Sequence, residues 1–254
     1  TGAYPSVGSS QSVLMEYYAA LARRYLRSGQ VTIEDFARVA VKNRNNAALN
    51  PIAQFRHLQT IEEVLSANVI SDPLTLPMCA PLTDGSTAIL LCSEHLARER
   101  QVPLIEIKAC TLSGSEAPGQ SPVVPATQQA YAATGYDPWD MDLIELHDAA
   151  APAEILQYAE IGLCAMDEAA QLIRSGATSI SGKLPVNTSG GLLSRGHALG
   201  ATGSAQVAEI YDQLCGTAGK RQLKQPKRGM AVNGGGWMDG TYIVAVCTII
   251  ESLS

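Results

Sequence analysis

Charge is scarce in this chain of 254 residues: only 17% are Asp, Glu, Lys or Arg, and no run of like charges exceeds a few positions. With 46% hydrophobic residues the chain can fill a large core, so an intrinsically disordered chain is excluded. A basic surface is also lacking, since the net charge is −6. Nucleic-acid binding driven by counterion release needs such a surface, and no nucleic-acid partner is expected. No apolar run reaches the length of a membrane span, and the first residues do not read as a signal peptide. A cytoplasmic protein is the expectation. No CxxC pair is present and no His is spaced for a metal, so no metal site is expected. The six cysteines, at 79, 92, 110, 164, 215 and 247, fit reduced thiols. Cys92, Cys110, Cys164 and Cys247 lie in apolar runs, where cysteine acts as a small buried hydrophobe. An initiator Met is missing too, and TGAYPSVGSS reads as a point inside a longer gene product.

The periodicities that are present describe alternating elements. Residues 11–28 place Val13, Leu14, Tyr17, Tyr18, Leu21 and Tyr25 on one helical face, closed by Gly29. Thr32 caps a second helix that stops before Pro51. Thr60 and Glu63 form a capping box for a short third helix through Ala67. Beyond Pro73–Pro81, the apolar run Ser86–Cys92 predicts a strand and Ser93–Arg100 a helix. Pro103–Thr111 is a further strand, and Ser113–Pro125 a surface loop. A helix over 126–134, a strand over Met141–His147 and helices at 153–162 and 167–175 follow. Arg228–Asn233 and Thr241–Ile250 close the chain as an antiparallel hairpin whose last strand is central and buried. Such alternation defines a layered α/β fold.

The most informative segment is Pro185–Gly203, PVNTSGGLLSRGHALGATG, with glycines at 190, 191, 196, 200 and 203 and one histidine, His197. A helix follows it, with Ala205, Val207, Ala208, Tyr211 and Leu214 as the apolar stripe. A Gly-rich turn feeding a helix start aims free backbone N–H groups at whatever lies before it. Glu145-Leu146-His147-Asp148 ends a strand, at the edge where open α/β sheets place ligands. Asn233 with Gly234, Gly235 and Gly236 can shape an oxyanion pocket or simply a hairpin turn. The basic cluster Lys220, Arg221, Lys224, Lys227 and Arg228 reads as a solvated loop before it reads as a phosphate site.

As an ordered set, ELHDAA, PAEILQYAEIGLC, GGLLSRGHALGATG and QLCGTAGKRQ resemble the sterol-carrier-protein type of the thiolase superfamily. FARVAVKNRNNAALNPIAQFR and PLTDGSTAILLCSE fit the same family, so the resemblance covers nearly the whole chain. It implies an α/β, thiolase-like layered fold. Residues 1–80 would be the helical loop domain, 81–101 the last strand and helix of the N-terminal half, and 102–254 the C-terminal thiolase domain. The family's nucleophilic cysteine would lie before residue 1, at a helix start that lowers the thiol pKa. Its second cysteine is absent: the HDCF position is Ala149 and the hairpin reads GGGWMDG. Val232-Asn233 replaces the His-Asn pair common in these relatives, and Ala198 replaces the proline of GHPLG.

On this resemblance the catalytic residues are His197, His147 and Asn233, with Asp148, Asp239 and Tyr242 as further candidates. His197 would donate to the thioester carbonyl, and His147 would hold a water or act on the substrate's 3-oxygen. Ser189, Gly190, Gly235 and Gly236 would contact substrate. The implied substrate is a coenzyme A thioester, with no covalently bound cofactor. Three activities follow: acyl transfer or thiolysis of a 3-ketoacyl-CoA, aldol cleavage of a 3-hydroxyacyl-CoA such as a steroid side chain, and non-catalytic acyl-CoA binding. The implied partners are acyl-CoA and further chains in a homo- or hetero-oligomer, a zinc-ribbon and OB-fold acyl-CoA-binding subunit among them. One apolar strand without its sheet would be exposed in isolation, so order is expected only with other chains or preceding residues.

Overall fold

A computed structural model describes residues 12–115, 120–236 and 243–253. The helical region opens with α1 (Val13–Ser28), α2 (Ile33–Ala48) and α3 (Ile61–Ser66), followed by a small antiparallel pair, β1 (Val69–Ser71) and β2 (Leu74–Thr75). α1 ends at Gly29 in the left-handed region, as the sequence predicts. The face it buries is Tyr18, Ala19, Ala22 and Tyr25; Val13 and Leu14, placed on the core stripe by periodicity, are exposed. α2 begins with a Thr32–Asp35 capping box and is enclosed by neighbours, burying Lys42, Asn43, Arg44 and Asn46 beside Phe36 and Val39.

The main sheet has four strands in the order β3 (Ile105–Gly114), β6 (Val244–Ser252), β5 (Arg228–Gly235), β4 (Leu143–Glu145). β6 pairs antiparallel with both β3 and β5, and β4 joins β5 in parallel. The closing hairpin and the interior place of its last strand agree with the sequence reading. Both faces of the sheet are packed. Met230, Val232, Ala245, Cys247 and Ile249 meet α5 (Val123–Thr134) and the helices beyond it. On the opposite face Leu143, Ala231 and Ile250 meet Ile210 of α9 (Thr202–Leu214). That contact needs Gly229, because a Cβ there would lie 2.2 Å from the Ile210 side chain.

α6 (Ala151–Glu160) and α7 (Ala169–Arg174) follow β4, and α8 (Gly191–Arg195) interrupts the Gly-rich segment. α2 packs against α3, α6, α7 and α8, which ties the helical region to the sheet's carboxyl edge.

Three expectations fail in whole or in part. The run 86–92 forms no strand; it is irregular before α4 (Glu94–Glu99), with Leu90 94% and Leu91 69% exposed. A strand needs a ladder partner, and no described strand pairs with it. Cys92 and Cys110 are exposed rather than buried. In the basic cluster Arg221 is buried against Glu209 at 2.8 Å, and Arg228 pairs with Glu251 at 2.5 Å. These arginines are structural ion-pair partners, while Lys220, Lys224 and Lys227 are exposed as a solvated loop would have them.

Candidate active site

β4 ends in a bend that exposes successive side chains to different surroundings. Glu145 and Asp148 point into protein, and His147 faces His197 across an edge-to-face contact of 5.2 Å between ring centroids. The main chain of His147 is fixed from α6. The Gln157 side chain accepts from its N–H at 3.1 Å and donates to its C=O at 2.7 Å. Leu146 N–H donates to Asn187 Oδ1 at 2.7 Å, so the strand end and the Gly-rich segment are joined by one side chain. Asn187 itself takes a left-handed φ of 56°.

The Gly-rich segment is held from beneath by α2. Lys42 Nζ donates to Val186 O at 2.7 Å, Asn46 Nδ2 to Asn187 O at 2.9 Å and Asn50 Nδ2 to Ser189 O at 2.8 Å. Lys42 and Asn46 lie one helical turn apart, and Asn50 follows just past the helix end, so one polar stripe serves successive carbonyls. Gly190 is part of the same fit: its φ is 101°, and a Cβ there would come within 2.6 Å of the Ala47 Cβ. Farther along, His197 is anchored by its N–H donating to Pro81 O at 3.1 Å.

Burial shifts both imidazoles. Desolvation pushes His147 down to about 3, with His197 and Arg195 adding to the effect. Desolvation likewise pushes His197 down to about 4, assisted by Arg195. Both rings are neutral at physiological pH. Arg195 contributes as a buried cation whose Nη2 has no hydrogen-bond partner among the described residues.

The remaining predicted residues divide. Asn233 joins the site, its Nδ2 lying 3.1 Å from His147 Nδ1. Gly235 ends β5 and Gly236 follows it with a φ of 65°. Ser189 is turned away from the imidazoles and fully buried, and its Oγ donates to Glu145 at 2.6 Å. Gly190 packs on α2 rather than facing the imidazoles. Asp148 accepts from Asn43 at 2.7 Å and from Leu192 N–H at 2.7 Å, so it caps α8 and tethers α2. Burial and then the charge of Glu154 push its carboxyl up. Asp239 and Tyr242 lie outside the described residues.

Helix α9 packs Ile210, Val207 and Leu214 on the sheet but is turned so that a polar face is buried beside them. Its buried positions include Thr202, Gln206, Glu209 and Gln213, while Tyr211 of the apolar stripe is 41% exposed. Polar side chains turn inward because each finds a partner there. Gln206 meets Asn233, Glu209 meets Arg221 and Thr188, and Gln213 meets the Arg221 carbonyl. Gln157, Arg195 and Thr202 lie within the quoted motifs but were not singled out, and Gln206 lies outside them. The signal that could have found the last two is polar spacing at helical period in an otherwise apolar context.

No group of three or more metal-ligating side chains occurs among the described residues, and no described helix is long and apolar enough to cross a membrane.

A mixed, two-faced sheet with paired imidazoles at the carboxyl edge of β4 defines the class of layered α/β protein. Residues 107–247 match the family model described as thiolase C-terminal domain-like, and the chain belongs to that family. It is 40% identical to an acetyl-CoA acetyltransferase of Methanothermobacter thermautotrophicus, over 86% of this chain and 59% of that protein. It is 35% identical to sterol carrier protein 2 of Oryctolagus cuniculus, over 94% of this chain and 46% of that one. Among solved structures, the Ltp2-ChsH2(DUF35) aldolase superimposes with a TM-score of 0.79 at 27% identity, covering 95% of this chain and 64% of that chain. The chain thus spans about half to two thirds of the proteins it matches.

Proposed function

We propose that this chain is the C-terminal part of a thiolase-like enzyme that acts on an acyl-CoA thioester, by acyl transfer or thiolysis of a 3-ketoacyl-CoA. The observation that carries the reading is the pair of buried imidazoles, His147 and His197, held edge to face. Neutral imidazoles can donate to a carbonyl oxygen or accept a proton without first shedding one. Residues 1–80 serve as the loop domain that backs the His197 turn, 81–101 belong to the preceding half, and 102–254 form the domain carrying both histidines.

The nucleophilic cysteine is supplied from outside these residues. Thiolate catalysis needs a lowered thiol pKa. Burial instead pushes Cys79 and Cys247 up to about 12 and Cys164 to about 11, and raises Cys215. Each of these four thiols keeps its proton at physiological pH.

A second reading is favoured by the aldolase neighbour and by the raised pKa of these four thiols. Aldol cleavage of a 3-hydroxyacyl-CoA needs a base for the hydroxyl and an oxyanion hole for the enolate, but no acyl-enzyme. A zinc-ribbon and OB-fold acyl-CoA-binding subunit would then be the partner in a hetero-oligomer. Non-catalytic acyl-CoA binding is the third outcome. Full-length protein incubated with a 3-ketoacyl-CoA plus CoA should yield two shorter acyl-CoAs. Release of an aldehyde or ketone from a 3-hydroxyacyl-CoA, without thiolysis, selects cleavage. Binding with no product under either pairing sinks both enzymatic readings.

A further inference from the structure

The two imidazoles are wired differently, and each wire ends on a backbone carbonyl, which can only accept. From His147 the wire runs through two amides. Gln206 Nε2 donates to Val232 O at 3.1 Å, so Gln206 Oε1 faces Asn233 as an acceptor. Asn233 Nδ2 donates to that oxygen at 2.9 Å, which fixes the orientation of the Asn233 amide. The same nitrogen has a second proton and lies 3.1 Å from His147 Nδ1. A donor there makes Nδ1 the acceptor, and in the neutral ring the proton sits on Nε2.

From His197 the wire is shorter. Thr202 Oγ1 donates its single proton to Ala198 O at 2.9 Å. It therefore meets His197 Nδ1, 2.8 Å away, as an acceptor. Nδ1 carries the proton of that ring, and Nε2 keeps its lone pair.

We propose that His147 and His197 are locked in opposite neutral tautomers, His147 as the Nε2–H donor and His197 as the Nε2 acceptor, with Gln206 and Thr202 as the positioning residues that set them. Both positioning residues lie one helical turn apart on the inward polar face of α9. That gives the inward polar face of this helix a chemical purpose. At the acyl-CoA site the roles expected from the resemblance are then exchanged: His147 donates a hydrogen bond to the thioester oxygen and keeps its proton. His197 Nε2 takes the proton of the attacking thiol or the 3-hydroxyl, and the resulting imidazolium still donates from Nδ1 to Thr202. The assignment of roles rests on the proposed acyl-CoA reading; the tautomers themselves do not, and they are measured without turnover.

Long-range proton–nitrogen correlation spectra of the full-length protein, labelled with 15N-histidine, report each ring's tautomer directly. The wild-type protein should show His147 protonated at Nε2 and His197 at Nδ1. Asn233→Asp replaces the donor by an acceptor and should move the His147 proton to Nδ1. Gln206→Leu frees the Asn233 amide to turn and should mix the two His147 tautomers, leaving His197 unchanged. Thr202→Val should release His197 alone. If the enzyme is active, Gln206→Leu should lower kcat by about 10-fold to 100-fold with KM within about twofold, the loss expected when a proton-handling group is mispositioned. Finding both rings in one tautomer in the wild-type spectrum overturns the proposal even if no variant folds. An unchanged His147 signature in Gln206→Leu or Asn233→Asp overturns the role of the relay.

Discussion

Two histidines face one another in this protein, and what surrounds each of them decides its chemistry more than the ring does. His147 is only 5% exposed and is gripped at its backbone by Gln157 and at its ring by Asn233. His197 is half-buried and held through Thr202. Folded values of about 3 and about 4 lie below the unfolded value of about 6.5. Below that value the unfolded chain binds more protons than the native one, so stability rises with pH over this window. The contribution is fully present above about pH 6.5 and is lost as pH falls toward the folded values. Glu145 and Glu160, each pushed up to about 7 chiefly by burial, act with the opposite slope between their ordinary value and 7. Comparing urea unfolding of wild type and His147→Gln between pH 4 and 7 cancels the carboxyls, and the variant should lose less stability on acidification. Equal acid sensitivity of the two proteins would show that His147 titrates normally in the fold.

Helices α2 and α9 both place polar side chains on buried faces, and in each case the partner is backbone or ion. Lys42 and Glu154, 2.7 Å apart and almost wholly buried, form the charged centre of the α2 contact. Asn43 donates to both Asp148 and Glu154, and Asn187 donates to Glu154. Removing one member of such a pair leaves a buried charge uncompensated, at about 3–5 kcal/mol. Lys42→Met is therefore expected to cost that much in chemical denaturation. Lys42→Met combined with Glu154→Gln should cost clearly less than the sum of the single changes. Additive losses would mean that the two side chains do not interact across the interface. Because Lys42 also holds the Val186 carbonyl, the same substitution loosens the turn that carries His197.

Seen at the scale of the molecule, the core is continuous from α1 to the closing hairpin, yet an apolar surface remains uncovered. Leu90, Leu91 and Tyr211 line a cavity of about 540 Å³ with Val102, Leu104 and Ile105. Contiguous exposed apolar surface of this kind drives association. The 254-residue chain should self-associate in sedimentation velocity. Leu90→Glu with Leu91→Glu should weaken that association and leave the thermal midpoint nearly unchanged, since neither side chain is packed. A well-behaved monomer before substitution would contradict the expectation.

How much of this was legible in the residues varies with the reach of the interactions. Local signals were strong wherever the physics is local. Gly29 stops α1, Thr32 and Thr60 open α2 and α3 through capping boxes, and alternating elements define the layered fold. The same holds for the antiparallel pairing of β5 with β6. The ordered motifs around His147 and His197 also singled out the two rings that meet in space. Ser86–Cys92 failed because strand formation depends on a neighbour, which composition does not reveal. Ser189 and Gly190 lie in the informative segment, but whether a residue there faces ligand or packs inward is set by α2, more than a hundred positions away.

The sequence by itself thus determined the family, the layered class and the identity of the facing histidines, because those rest on short-range pattern and on an ordered set of motifs. Only the tertiary structure decided which face of α9 turns inward, which carbonyls Lys42, Asn46 and Asn50 hold, and which nitrogen of each imidazole carries the proton. The reason is physical: hydrogen-bond polarity is fixed by the partner at the far end of each chain of donors, and those partners meet only when distant segments pack.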